Sequence, residues 1–312
     1  MIKKIFELIL GCLVLCRALL PSLTIAQTDI QMSQHLFNRI NYNPAATGAS
    51  RYVCADLLLR EQWSDWEGAP STQVLNIHNY FPTIYSGGGM TFMLDRLGNE
   101  KYVNWKTSYA FHAQLTDQMY LSLGLAGGIL YRAVDYTAMH NETSLDPDFR
   151  NWDLRSKTNF DVDFGIELTH ERFAIGLSST HLTRTSTQDD RSPGRHFYGY
   201  ARYNHPFDQW EIMPSVFTQH NQTTTHVELA CLALFQKTFW FGAAYRGERF
   251  IDAEALVGYV GFWYKDLFRI GYSYDFTLGK LAKYSGSTHE ILLSLRIKKK
   301  PSINAKTPRF FE

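Results

Sequence analysis

Residues 159–168 read Asn-Phe-Asp-Val-Asp-Phe-Gly-Ile-Glu-Leu, and this stretch decides the fold class. Every second residue is large and apolar, and the residues between them are an amide, carboxylates or glycine. A helix of 3.6 residues per turn would mix the two sets, whereas a strand places them on opposite faces. The stretch therefore predicts a β-strand with one apolar face and one charged face.

The same alternation recurs along the chain, most clearly in residues 103–115 and 268–276. Most runs have the roughly 9–11 residues that a tilted strand needs to cross a bilayer. We predict an all-β protein: a transmembrane, antiparallel outer-membrane β-barrel of about 14 strands over residues 51–297. The predicted strands lie near 53–61, 72–81, 87–95, 102–114, 119–132, 159–168, 171–180, 196–204, 209–218, 226–235, 238–246, 253–263, 268–276 and 288–297.

The predicted connections sort by length. Even-numbered connections are mostly short, and odd-numbered ones include the long stretches 133–158, 181–195 and 277–287. Outer-membrane barrels have short periplasmic turns and longer outer loops, so this parity predicts that both termini are periplasmic. It also disfavours a soluble β-sandwich, which has no reason to sort its loops by length. Charges of both signs on the polar faces predict ion pairs across the lumen, which the sequence leaves either open or plugged.

The composition limits the possible functions, and the two ends of the sequence indicate segments outside the barrel. The chain has 312 residues with 31 Lys+Arg and 30 Asp+Glu, so its formal net charge of +1 gives no basis for nucleic-acid binding. Lys3 and Lys4 precede an apolar stretch that ends in Thr-Ile-Ala at 24–26, which predicts a signal peptide over residues 1–26. We expect residues 27–50 to form an N-terminal periplasmic segment and residues 298–312 a periplasmic tail.

Motifs for catalysis are absent from the sequence. Ser178, Ser179 and His181 form the one local Ser/His cluster, and it matches no nucleophile-elbow pattern. The sequence also has no zinc-protease, P-loop or dinucleotide-binding pattern. We therefore expect no enzymatic activity, no cofactor and no metal ion. Cys54 and Cys231 follow the signal peptide, and one disulfide between them is arithmetically possible.

Specific residues narrow the class further. Gln-Met-Ser-Gln-His-Leu-Phe-Asn at 31–38 is followed by Asn-Pro-Ala-Ala-Thr-Gly at 43–48, and Arg60-Glu-Gln-Trp63 runs into Gly-Ala-Pro-Ser-Thr at 68–72. With Asp95-Arg-Leu-Gly98, these blocks resemble the PorP/SprF family of outer-membrane proteins of the type IX secretion and gliding-motility system. The resemblance implies a barrel without chemistry of its own that supports export of folded cargo with C-terminal signals. Its implied partners are periplasmic ring proteins, outer-membrane translocon proteins, or both, together with outer-membrane lipids. The chain departs from the family at 38–42, where an apolar, Pro-containing run is usual.

Two sets of residues are candidates for partner contact. The proline of Asn43-Pro44 fixes the backbone before the first strand, and residues 95–98 are expected to form a tight turn. The rival function is an outer-membrane transport barrel for a small or hydrophobic solute, and a soluble glycan-binding β protein is a distant third. The family-motif set is Asn43, Pro44, Arg60, Gln62, Trp63, Gly68, Pro70, Asp95, Arg96 and Gly98, and the periplasmic electrostatic set is Lys298, Lys299 and Lys300.

Overall fold

The computed structural model describes residues 29–50, 52–135, 155–183, 194–221, 223–248, 252–265, 267–278 and 286–298. The predicted signal peptide at 1–26, together with Lys299, Lys300 and the rest of the tail, lies outside the described residues. No helix in these ranges is long and apolar enough to span a membrane.

Antiparallel strands make up 73% of the described chain. Their alternating side chains form one face that packs inward and one that points outward, as the sequence pattern predicts. The strands are β1 (Tyr52–Glu61), β2 (Ser71–Phe81), β3 (Ser86–Leu97), β4 (Glu100–Thr116), β5 (Met119–Val134), β6 (Arg155–His170), β7 (Phe173–Thr180), β8 (His196–Tyr203), β9 (His205–Phe207), β10 (Trp210–His220), β11 (Thr225–Phe235), β12 (Phe239–Glu248), β13 (Asp252–Tyr264), β14 (Phe268–Thr277) and β15 (Thr288–Lys298).

The sheet closes on itself. Each strand pairs with its neighbours in sequence, and β1 pairs with β15 along its whole length, from Tyr52 opposite Lys298 to Glu61 opposite His289. The three-residue β9 continues β8 after a break at Asn204, and both pair with β10. The fifteen segments therefore form a closed 14-strand antiparallel barrel, which confirms the predicted fold class. Closure gives each of the 14 strands a paired neighbour on both sides, which removes the open sheet edge that a lipid environment does not tolerate.

Burial is reversed relative to a soluble protein. On β6 the apolar Phe160 is 65% exposed and Phe164 is 39% exposed, whereas Asp161 and Asp163 between them are buried at 2% and 5%. A charged interior inside an apolar outer face fits a barrel whose surroundings are lipid. The aromatic residues at strand ends follow no single rule, because Trp105 is exposed while Trp240 points inward and is 1% exposed.

The two ends of the barrel differ in their connections. At one end, called here the turn end, the strands are joined by 82–85, 117–118, 171–172, 208–209, 236–238 and 265–267. At the other, the loop end, the connections are 62–70, 98–99, 135–154, 181–195, 221–224, 249–251 and 278–287. The long connections thus all lie at one end. β1 begins and β15 ends at the turn end.

Residues 29–50, called here the luminal segment, lie inside the barrel. They form three short 3-10 helices, Ser33–Leu36, Arg39–Asn41 and Pro44–Ala46, whose residues are mostly buried. The prediction of a separate periplasmic segment over 27–50 needs correction for these residues, because their polar groups bond to the charged inner wall. Asp29 contacts the loop-end termini of β7, β8 and β10, whereas β15 ends at the turn end. The described chain therefore begins and ends at opposite ends of the barrel, not at one shared end.

Candidate functional site: the luminal segment and the loop-end rim

The first helix of the luminal segment is held by a buried carboxylate. The backbone N–H groups of Ser33 and Gln34 donate to Glu290 on β15, at 2.9 and 2.6 Å. Ser33 Oγ donates to Asp275 on β14 at 2.7 Å. Because a buried N–H without a partner costs about 1–3 kcal/mol, these bonds fix where the segment sits.

Two arginines complete this network. Arg60 contacts Glu290 at 2.9 Å and Asp275 at 3.1 Å. Arg246 contacts Asp275 at 3.0 Å and Glu228 at 2.6 Å. Both guanidinium groups also donate to Ser33 Oγ, at 3.1 and 3.0 Å. The two arginines are therefore each neutralised by two carboxylates, and the hydroxyl of Ser33 lies between them.

Asn43 and Pro44 place the third helix against the opposite wall. The Asn43 side-chain carbonyl caps the helix by accepting from the Ala45 N–H at 2.9 Å, and its amide donates to the Ile166 carbonyl at 3.0 Å and to Tyr200 at 3.1 Å. The wall has no side chain at Gly165, where a Cβ would come within 1.9 Å of Asn43 Oδ1. This motif pair thus packs inside the barrel.

The start of the luminal segment is bound by histidines at the loop end. Asp29 contacts His181 Nε2 at 3.1 Å and accepts a hydrogen bond from Tyr198 at 2.7 Å. Burial alone would raise the pKa of the Asp29 carboxyl, but His181 and His196 outweigh burial and hold it well below its usual range. Burial alone would lower the pKa of His181, but the charge of Asp29 and the hydrogen bonds that the ring donates to Asp161 and Asp29 raise it to about 9. The pair is therefore charged at neutral pH.

Two groups of residues have the chemistry of metal ligands, and both include His181. Asp29 and His196 lie near it on one side, and Asp161 and Asp163 on the other. Lys106 Nζ already contacts Asp161 at 2.6 Å and Asp163 at 2.7 Å, so an ammonium group supplies the cation there. His196 Nε2 accepts from the Asp29 N–H at 3.0 Å, which occupies its lone pair. Hydrogen bonds and ion pairs account for both groups.

The second and third motif blocks meet at the loop end. Gln62 N–H donates to the Pro70 carbonyl at 3.0 Å, and Gly98 N–H donates to the Gly68 carbonyl at 2.9 Å. Gly68 and Gly98 have positive φ angles of 75° and 53°, and Trp63 has 56°. These residues form what we call the loop-end rim: residues 62–70 together with residues 95–98.

A cavity of about 1100 Å³ opens beside this rim. Its walls carry Trp63, Pro70 and Leu97 from the rim and the two arginines of the buried network. Its acidic lining residues include Asp95, Asp252 and Glu254. Asp95 accepts a hydrogen bond from Thr72 at 2.7 Å, and Glu254 lies 2.8 Å from His226. The cavity therefore offers both aromatic and charged surface.

The motif residues fall into two groups by position. Asn43, Pro44 and Arg60 are buried and hold the luminal segment, whereas Gln62, Trp63, Gly68, Pro70, Asp95, Arg96 and Gly98 belong to the rim. The predicted tight turn needs correction: Asp95 and Arg96 are still in β3, and the turn is Gly98-Asn99. Arg96 is exposed. Lys298 is the last residue of β15, at the turn end.

The one Ser/His cluster does not form a nucleophile-base pair. Ser178 Oγ donates to the Tyr42 carbonyl at 2.6 Å, and the His181 ring contacts Asp29 and Asp161. Each of these groups is thus engaged with the luminal segment or the inner wall. Cys54 is buried and Cys231 exposed, and both are free thiols.

The closed barrel with an apolar outer face and a charged, occupied lumen defines the class as an outer-membrane β-barrel. One solved structure with the same fold is the Pseudomonas putida toluene transporter TodX. The match has 8% sequence identity and a TM-score of 0.51, and it covers 87% of this chain and 95% of that chain. The Acinetobacter baumannii outer membrane protein Omp33 matches at 7% identity and TM-score 0.47, over 80% of this chain and 100% of that chain. Likeness at such identities concerns the fold alone.

Sequence comparison gives the family. The sequence model of the family described as "Type IX secretion system membrane protein PorP/SprF" matches residues 24–295, so the chain belongs to the PorP/SprF family. It is therefore a component of type IX secretion with the fold of an outer-membrane barrel. A search of curated proteins finds no match.

Proposed function

We propose that this protein is a non-enzymatic outer-membrane component of the type IX secretion system that supports export of folded cargo by linking the periplasmic ring or the translocon to the outer membrane. The observation that carries this proposal is the filled lumen. The luminal segment is bonded to the buried carboxylate of Glu290 on one wall and to the Ile166 carbonyl and the Tyr200 hydroxyl on the opposite wall. Because the chain fills its own lumen, an accessory role suits it better than conduction of cargo.

We propose that the turn end of the barrel faces the periplasm. Short turns face the periplasm in outer-membrane barrels. Every connection at the turn end has two to four residues, whereas the long connections 62–70, 135–154, 181–195 and 278–287 all lie at the loop end. Lys298 ends β15 here, and we propose that Lys298, together with the following Lys299 and Lys300 of the sequence, makes an electrostatic contact with the periplasmic ring. The loop-end rim then faces outward and is the surface for translocon or cargo-associated partners.

The rim has the features of a contact surface. Trp63 and Trp66 lie with ring centroids 6.3 Å apart, and Trp66 is 53% exposed. Aromatic residues and arginine dominate interface hot spots, and Arg96 is exposed on the same rim. Asn43, Pro44 and Arg60 instead act indirectly, by keeping the luminal segment in place.

The test is the location of cargo proteins after deletion of the gene, with complementation. We expect cargo to accumulate in the periplasm of the deletion strain and to be released after complementation with the wild-type gene. A W66A/R96A variant is expected to fail while still showing heat-modifiable migration on gels, and a K265A variant at the turn end serves as its control. Normal cargo release in the deletion strain would refute the secretion role.

The rival function is transport of a small or hydrophobic solute. The cavity of about 1100 Å³ at the loop end is the feature that favours it. Stable single-channel conductance of the full-length protein in planar bilayers, combined with normal cargo release, would support transport. Co-purification with ring proteins in mild detergent, without conductance, would support the secretion role.

A further inference from the structure

A second cavity lies at the turn end, beneath the luminal segment. Its volume is about 80 Å³, and it is separate from the loop-end cavity. The residues that line it come from the luminal segment and from the turn-end parts of β8 and β10–β15. All the charged side chains that line it are arginines, and no carboxylate is among its lining residues. The polar lining residues are Arg39, Arg202, Arg269, Arg296, Trp240, Trp263 and Asn204.

Arg269 is the central member of this cavity. Its side chain is buried at 2% exposure, and its guanidinium lies 4.7 Å from the centre of the Phe37 ring and 4.4 Å from that of Trp263. Its Nε and Nη1 atoms have no hydrogen-bond partner. Arg296 lies over the same Trp263 ring at 5.1 Å, and its Nε also has no partner.

The arginines near the loop end of the lumen differ from those of the turn-end cavity in their contacts with carboxylates. Arg60 and Arg246 are equally buried there, and each contacts two carboxylates. Among the described residues, no carboxylate lies within 4.0 Å of Arg269 or Arg296, and Arg39 reaches Glu167 at 3.6 Å. Asp56 on β1 is an acidic neighbour of Arg269. Its carboxylate lies 3.9 Å from His78 Nε2. The described chain thus places two carboxylates in contact with each arginine of one luminal pair, and none in contact with either arginine of the other pair.

A buried charge without a partner is strongly unfavourable, and cation–π contact offsets only part of that cost. Trp240 Nε1 adds another donor without a partner, on a side chain that is 1% exposed. Arg269, Arg296 and Trp240 therefore present N–H donors at this cavity that no acceptor in the described part of the chain satisfies. Guanidinium groups suit planar or tetrahedral oxyanions because their N–H groups form a fork that binds two oxygens at once.

We propose that the turn-end cavity is a binding site for a phosphate-class oxyanion. A cavity volume of about 80 Å³ suits a small oxyanion such as one phosphate group. The group comes either from inorganic phosphate or from the headgroup of an anionic phospholipid. In both cases Arg269 and Arg296 hold the oxygens, and Trp263 keeps the two guanidinium groups in place. This site is independent of the secretion role.

The experiment uses the mature full-length protein in an uncharged detergent. Inorganic phosphate is titrated and followed by calorimetry and by ³¹P NMR line broadening, at constant ionic strength. We expect saturable binding with a stoichiometry of one. The R269Q variant is expected to bind about 10- to 100-fold more weakly, because it loses a charge-assisted hydrogen bond. R172Q is the matched control, since Arg172 is an exposed arginine at the same end. We expect it to bind as the wild type does.

A second variant and a second source complete the test. R296Q removes a partly exposed arginine and keeps the test valid if R269Q fails to fold, as judged by heat-modifiable migration. The same proteins are then reconstituted into vesicles with and without phosphatidylglycerol, and thermal stability is compared. Selective stabilisation of wild type and R172Q by phosphatidylglycerol identifies the lipid as the source. Failure to bind either source, or equal loss of binding in R172Q, would overturn the proposal.

Discussion

Replacement of Gly124 by alanine tests whether the luminal segment is packed against the wall as described. Gly124 lies on β5 and faces the third 3-10 helix. A Cβ at this position would lie 2.2 Å from Ala45 N, 2.3 Å from Pro44 C and 2.5 Å from Ala45 Cα. All three atoms belong to backbone, so no side-chain rotation relieves the overlap.

The size of the effect follows from these distances. Ordinary contact with a Cβ begins at 3.4 Å, so the wall and the helix must separate by 3.4 − 2.2 = 1.2 Å. Overpacking of this kind typically costs about 1–3 kcal/mol. The helix also loses the geometry of its bonds from Asn43 to Ile166 and Tyr200. We expect the free energy of unfolding of G124A to fall by about 2–3 kcal/mol.

Urea unfolding in detergent, followed by tryptophan fluorescence, measures this change. The matched control is G258A on β13, where an added Cβ meets nothing within 4 Å. Alanine for glycine in an open position leaves stability unchanged or raises it by about 0.4–1 kcal/mol. If G124A were as stable as G258A, the luminal segment would not be seated against β5 and the description of the filled lumen would be refuted.

Two further predictions concern the buried charges. R60Q leaves Asp275 and Glu290 partly uncompensated, so the free energy of unfolding should fall by about 3–5 kcal/mol. R96Q, at an exposed site, should stay within about 0.5 kcal/mol of wild type, and equal unfolding free energies for the two variants in urea would contradict the buried network of arginines and carboxylates. The pKa of His181 rises from 6.5 to about 9 in the folded protein, so its contribution is fully present below pH 6.5 and is lost as the pH rises through 9. Stability should therefore fall by about 3 kcal/mol between pH 7 and 10 in wild type and not in H181Q, measured by the same unfolding assay.

The strands were predictable because their signal is local. In a membrane barrel each residue faces either lipid or the lumen, so the alternation at 159–168 reports directly on burial. Each of the fourteen predicted ranges overlaps one strand, with differences of a few residues at the ends. The turns were harder to assign. Gln236 and Lys237 both have positive φ, although neither residue type favours it.

The luminal segment was not predictable by the same reasoning. Residues 29–50 are polar and lack alternation, which is the composition of a solvated segment. Their burial depends on partners far away in sequence, such as Glu290 and Asp275 for Ser33. The family resemblance drew attention to Asn43 and Arg60, but it carried no indication that Asn43 lies in the luminal segment and bonds to the wall, or that Arg60 on β1 bonds to Ser33 of that segment. Arg269 stands on the polar face of the alternating run 268–276, so its luminal position could be predicted, but the absence of a carboxylate in contact with it appears only in three dimensions.

The contacts between Ser33 and Glu290 have a consequence for biogenesis. They join the first described helix to the last strand, over a sequence separation of 257 residues. A closed barrel has no lateral opening, so the helices either enter through an end of the barrel or are in place when β1 and β15 form the seam. The segment that is synthesised early must therefore wait for the final strand, and such long-range closure makes assembly slow. An insertion machinery that holds the seam open until the interior is arranged would solve this problem of timing.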